Sequence, residues 1–238
     1  MRDVTKVFVS VTMSLDGFIA PPGRLEEVQG PKMEAWTMQW SRLQDWVFQQ
    51  EFFRKNLHIP GEGEKGPDND LLREVFKRTG VTIMGKRMFD GGEKFWPEEA
   101  PFHTPVFVVT HTKRGPWVRP GGTTFYFVND GIESALTQAK DVAKGKDIRI
   151  GGGGETINEF LRAGLVDEIH IALSPMFMGK GIRLLDGIDA AKIEIRPLPA
   201  PVSKRLTHLR YEVVNDEGGR GPGDLGRWLQ RRAEPPVG

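Results

Sequence analysis

The chain has 238 residues, of which 38% are hydrophobic and 27% charged, enough to bury a core of its own without disulfide or metal support. Its formal net charge of +1 comes from interleaved bases and acids, which excludes a broad nucleic-acid footprint, and no apolar run approaches the roughly 20 residues of a membrane helix. Cysteine is absent and the five histidines (His58, His103, His111, His170 and His208) are scattered, so neither a disulfide framework nor a metal site is expected.

The N-terminus runs from Met1-Arg2-Asp3 directly into a strand pattern and not into a signal sequence, which makes a cytoplasmic protein with small-molecule partners the expectation. Lys6 to Met13 is the first β-branched strand, and the Asp16-Gly17 pair that follows reads as a tight turn before Phe18-Ile19-Ala20. Trp36, Trp40, Leu43 and Val47 recur at i, i+4, i+7 and i+11 and predict an amphipathic helix, which the Gly/Pro/acid-rich stretch 58–70 interrupts. Leu71 to Arg78 is a second helix with Gly80 as its C-terminal cap, and Val81 to Met84 is a short buried strand running into Gly85-Lys86-Arg87. Val106–Val109 and Thr124–Val128 are further strands, with a polar helix from Ile132 to Lys144.

Asp147 to Leu161 is the most informative stretch. A β-branched run enters Gly151-Gly152-Gly153-Gly154 and leaves as a helical pattern, a strand, bare-backbone turn and helix start. Without Cβ atoms such a turn lets a diphosphate approach the main chain, and the free N–H groups of the helix's first turn favour an anion. Tight packing alone would also account for it. A phosphate loop of the NTPase kind is excluded, because Glu155-Thr156 follows Gly154 where that loop needs lysine and Ser/Thr. The turn also comes too late in the chain for a Rossmann first βα turn, so a different dinucleotide fold is implied.

After Gly164 the pattern changes to strands without intervening helices: Glu168–Pro175, a Gly-rich connection from Met176 to Gly187, Ile193–Ile195 and Leu206–Val214. This predicts an antiparallel end to an otherwise parallel sheet. Residues 215–238 are rich in Gly, Pro and Arg and read as a poorly ordered tail.

The order of these motifs resembles the dihydrofolate reductase-like superfamily, especially the branch that contains the reductase domain of bacterial riboflavin biosynthesis and its stand-alone relatives. The resemblance covers roughly residues 4–214. It is carried by Met13-Ser14-Leu15-Asp16-Gly17-Phe18-Ile19-Ala20, Met84 to Phe89, Val109-Thr110-His111-Thr112, Ile150 to Glu155 with Phe160-Leu161, and Val166 to Ile169 leading to Gly179-Lys180-Gly181. It implies a single α/β domain over 1–214, with a mixed, mainly parallel central sheet of about eight strands, helices on both faces and a long lid-like insertion over 21–70.

The resemblance further implies a reductase that takes hydride from NADPH. Thr12, Ile19 and Ala20 would flank the nicotinamide and its ribose. Gly85, Lys86, Arg87 and Met88 would open a helix that holds phosphate, Thr110 and His111 would meet the adenosine end, and Gly152, Gly153, Gly154, Glu155 and Thr156 would cradle the diphosphate. Lys86 and Arg87 at a helix start oppose the helix dipole, which favours an anion there over a merely solvated face.

In dihydrofolate reductases a carboxylic acid early in the helix after the first loop steers the proton, and Asp45-Trp46 resembles that pair. Periodicity puts Asp45 opposite the tryptophan stripe and Glu51 near its edge, whereas the riboflavin-type reductases leave protonation to water. With no cysteine, the zinc deaminase of riboflavin synthesis is not fused here. The expected function is an NADPH-dependent reduction of C=N or C=O in a small heterocycle, pterin-like or aminopyrimidine-like, in a possible homodimer. The alternative is a non-catalytic NADPH-binding sensor or scaffold.

Overall fold

The computed structural model describes residues 5–23, 29–189 and 193–215, so the tail expected over 215–238 lies, apart from Asn215, outside the described residues. Alternating Val/Ile-rich runs and helical segments build a nine-stranded sheet. The first strand, β1 (Val7–Ser14), lies in its interior, paired in parallel with β7 (Asp147–Gly152) on one side and β8 (Glu168–Ser174) on the other. Beyond β7 come β3 (Thr79–Gly85), β4 (Pro105–Val109) and β6 (Thr124–Val128), all parallel, closed by the short antiparallel β5 (Trp117–Val118). Beyond β8, β11 (Thr207–Asn215) and β10 (Ile193–Pro197) pair antiparallel, as the helix-free C-terminal sequence predicts.

Helices cover both faces of the sheet. On one face α5 (Ile132–Val142) and α6 (Gly154–Arg162) bury Ala135, Leu136, Ala139, Ile157 and Phe160 against Val7, Val9, Ile83, Phe107, Ile148 and Ile150. On the other face α4 (Lys86–Glu93) inserts Phe89 among Met84, Val106, Val108 and Phe125. The remainder of that face lies under α1 (Pro31–Gln49), α2 (Glu51–Asn56) and α3 (Pro67–Arg78). A two-stranded ribbon of β2 (Phe18–Ala20) and β9 (Ile182–Arg183), which the sequence does not announce, joins the first loop to the 176–187 connection.

Two sequence expectations are corrected here. Trp36 and Trp40 are only half-buried and stack on each other at 6.4 Å; α1 instead presents Leu43 and Trp46 to the core, with Val47 beside them. The helix bears on the sheet only near its C-terminal half, so a stripe drawn through its first turns points elsewhere. Gly80 does not cap α3: Thr79 ends the helix and Gly80 already lies in β3. It is glycine because a Cβ there would fall 2.7 Å from Lys146 Cβ and against the Ala143 carbonyl.

Candidate functional site

The parallel strands all run the same way, so Ser14, Gly85, Val109, Val128, Gly152 and Ser174 end at one edge of the sheet, where α/β sheets place their ligands. Three glycine-bearing segments meet there. A Cβ on Gly85 would collide with the Thr156 hydroxyl, and one on Gly152 would lie 2.8 Å from Met88 Sδ, so β3, α4 and the glycine turn are in contact. Gly152 has φ of 135°, a conformation that favours glycine, and the Gly152–Gly153 peptide is cis. Gly154 is closed off by Ile182, the Arg183 carbonyl and Ile19, which brings β2 and β9 over the start of α6.

Gly153 differs from its neighbours. Its φ of −74° suits any residue and nothing lies within 4 Å of the position a Cβ would take, so neither backbone nor packing requires glycine. The space beside it is open, and the first intrahelical bond of α6 runs from Ile157 N–H to its carbonyl, which leaves the N–H groups of 154–156 outside the helix's own bonding. Thr156 is buried, while Glu155 is exposed in the same turn. Asn158, one turn further on and 4% exposed, has an Oδ1 with no partner among the described residues.

At the start of α4, Lys86 Nζ is paired with Asp90 four residues on, whereas Arg87 is exposed. Neither has an acidic first-turn neighbour, so the helix N-terminus keeps its positive character. Beyond β4, Thr110 is buried and its hydroxyl accepts from the Thr112 N–H at 3.0 Å. Asn129 Nδ2 donates to the carbonyls of Thr110 and Thr112, fixing the loop on which exposed His111 stands.

On the β1 side, Thr12 is buried beneath α1. Its hydroxyl donates to Gln44 Oε1 and accepts from Trp46 Nε1, both at 3.0 Å, and Trp46 packs edge-on against His208 at 5.6 Å. His208 in turn bonds Asp68 at 2.8 Å. Trp46, which periodicity passes over, is thus the side chain that ties α1 to β1. Asp45, the adjacent residue, turns away: its side chain is 55% exposed, accepts from Gln49 and lies 4.0 Å from Arg205. It lines a cleft of about 330 Å³ together with the cations Arg42, Lys204 and Arg205 and the apolar Trp46, Met176 and Leu206. Glu51 accepts from Lys55 Nζ at 2.7 Å, which holds its carboxyl below the usual range and makes it a poorer proton donor.

The first loop is clamped by Asp16. Its carboxylate accepts from Ser14 Oγ at 2.6 Å and from the N–H groups of Met178 and Gly179 at 3.0 and 2.6 Å, and the Ser14 hydroxyl foremost lowers its pKa to about 2. Asp-Gly reads in sequence only as a turn; that the aspartate also holds a segment 163 residues away has no local signature.

The model of the RibD C-terminal domain matches residues 5–210. The chain belongs to that family. This is the branch that the motif order resembles. A protein from Shewanella sp. PV-4 described as a riboflavin biosynthesis protein has the same fold, with a TM-score of 0.60 and 21% identity over 89% of this chain and all of that one. Dihydrofolate reductase from Enterococcus faecalis, complexed with NADP(H) and RAB-propyl, aligns with a TM-score of 0.47 at 15% identity over 90% of this chain and 97% of that one. Two Bacillus subtilis proteins named as uncharacterized are also similar. YwjB is 27% identical over 130 residues, 52% of this chain and 66% of its own length, and YyaP is 38% identical over 55 residues, 23% and 29% respectively. The chain thus spans under two thirds of either relative. Among the described residues no helix is long and apolar enough to cross a membrane, and no group of His, Asp and Glu suits a metal.

Proposed function

We propose that this chain is an NADPH-dependent reductase of a C=N or C=O bond in a small heterocyclic substrate. The observation that carries the reading is Gly153, where the backbone is bare beside open space for no reason internal to the fold, at the one edge where α4, α6 and the 110–112 loop converge. A dinucleotide fits those residues. The N–H groups of 154–156 and the N-terminus of α4 would bind its diphosphate, Arg87 its 2′-phosphate, Thr110 and His111 its adenosine end. Thr12, Ile19 and Ala20 would border the nicotinamide, which supplies hydride when bound. Lys86, already neutralised by Asp90, contributes less than Arg87.

Of the two acids the sequence offers to steer the proton, Asp45 is half exposed and Glu51 is ion-paired. Protonation from water accounts for this arrangement.

Titration of the intrinsic tryptophan fluorescence with NADPH and, separately, NADH tests the reading. Micromolar NADPH binding with NADH much weaker is expected. Binding of neither refutes the assignment, and tight binding with no oxidation by any pterin, pyrimidine or carbonyl compound would make the protein a sensor.

A further inference from the structure

An interior strand of a sheet covered on both faces is expected to carry apolar side chains on both. On β7 the face that lies under α1–α3 instead carries Asp147, Arg149 and Gly151, with Arg149 level with the buried Phe8 of β1. The apolar cover of this face comes in separate pieces: Phe89 with Met84, Val106, Val108 and Phe125 beneath α4, and Trp46 with Ala172 and Leu206 beneath α1. Between them Ser10, Arg149 and Gly151 stay partly exposed although they sit at the centre of the sheet, so this stretch of the face is not fully covered.

Arg149 is poorly satisfied. Its Nη2 donates to the Ser10 carbonyl at 3.2 Å, and among the described residues its buried Nε has no partner and no carboxylate pairs with it. The nearest acid on its own strand, Asp147, is engaged by Arg78 at 2.6 Å and by the Lys6 N–H. Burial therefore holds the guanidinium down to about 10 with nothing to offset it. A desolvated charge without a counter-ion is destabilising unless something else meets it. The guanidinium carbon also stands 5.8 Å from the Phe76 ring centre, and from Phe76 half-buried rings run on through Phe53, Phe48 and Trp40 at 5.5 to 6.4 Å spacing.

We propose that Arg149 selects the substrate, which is a planar aromatic compound bearing a negatively charged oxygen group, and that it does so from this incompletely covered stretch of the sheet with the Phe76 ring beside it. The proposal rests on the reductase reading and deepens it. Arg149 precedes Gly151 by two residues on the same face, about 7 Å along the strand, so an anion on Arg149 leaves the ring to which it is attached beside the glycine turn. A planar guanidinium suits this task because it offers two parallel donors to an oxyanion and stacks on aromatic faces.

The test compares 2-naphthoate with its neutral analogue 2-naphthylmethanol, without cofactor, by thermal shift and tryptophan fluorescence. The wild-type chain should be stabilised by the anion and not by the alcohol. Arg149→Met should lose at least about tenfold in naphthoate affinity, the scale of a charge-assisted bond, while its own melting temperature stays level or rises because an unpaired buried charge has gone. Arg149→Lys keeps the charge but not the paired donors, and should lose affinity while folding normally should the methionine variant not fold. Equal naphthoate binding in either variant, or its loss in Arg42→Ala instead, would overturn the proposal. NADPH titration of Arg149→Met should match the wild type. If neither chain binds NADPH yet naphthoate binding depends on Arg149, the reductase reading fails while the anion site stands.

Discussion

Replacing Gly153 with alanine separates ligand binding from folding. At φ of −74° and ψ of −174° alanine is unstrained, and its methyl meets no protein atom within 4 Å. Restricting the unfolded chain should then stabilise the fold by roughly 0.4–1 kcal/mol, a rise of about 1–4 °C in melting temperature for a chain of this size. The same methyl would stand where the diphosphate is proposed to lie, and overpacking of that kind costs about 1–3 kcal/mol, or roughly ten- to a hundredfold in NADPH affinity. The contrast is Gly152→Ala, where φ of 135° and a sulfur 2.8 Å from the new Cβ should lower the melting temperature outright. Calorimetry and fluorescence titration on both variants read the two quantities separately. A Gly153→Ala protein that keeps wild-type stability and wild-type NADPH affinity would refute the assignment of that open space to the cofactor.

Other expectations follow from the same geometry. Arg87→Ser should weaken NADPH at least about tenfold and leave NADH unchanged, whereas Lys86→Ser should do much less; parallel titrations decide it. Trp46→Phe removes the bond to Thr12 and should cost about 1 kcal/mol in chemical denaturation. Glu168 is bonded to His170, Arg78 and Lys6, which together hold its pKa well below the carboxylate range. Its contribution is present above its unfolded pKa and is lost as pH falls through that value towards the folded one, so Glu168→Gln should flatten the acid limb of a stability–pH curve. Asp16→Asn should release the 176–179 segment, seen as faster amide exchange at Met178 and Gly179.

The legible parts of the sequence were those where one period governs a whole element. Val7 to Ser14, Val106 to Val109 and Asp147 to Leu161 read correctly because interior strands and a glycine turn are dictated locally. The convergence of Gly85, Met88, Gly152 and Thr156 follows from motif order, and contact between them bears out only their proximity. Illegible were features set by distant partners. The main sheet, read as about eight strands, has nine, and β5 is two residues whose pairing with β6 shows only once folded. The 21–70 segment, read as a lid-like insertion, supplies α1, α2 and the start of α3, and Leu43 and Trp46 are buried there. Arg149 carries no signal in the sequence, which cannot show that no described carboxylate pairs with it.

The position of β1 governs how the chain must be made. Both of its neighbours, β7 and β8, come from the far side of the sequence, with Val7 opposite Ile148 and Phe8 opposite Glu168. During synthesis the first strand therefore waits, unpaired, while about 140 residues emerge, whereas β3, β4, β6 and β5 can associate as soon as residue 128 is out. Such long-range pairing makes folding slow for the chain's size. A fragment ending before residue 147 would leave the Val-rich first strand without a place to go, and should aggregate rather than yield half a protein.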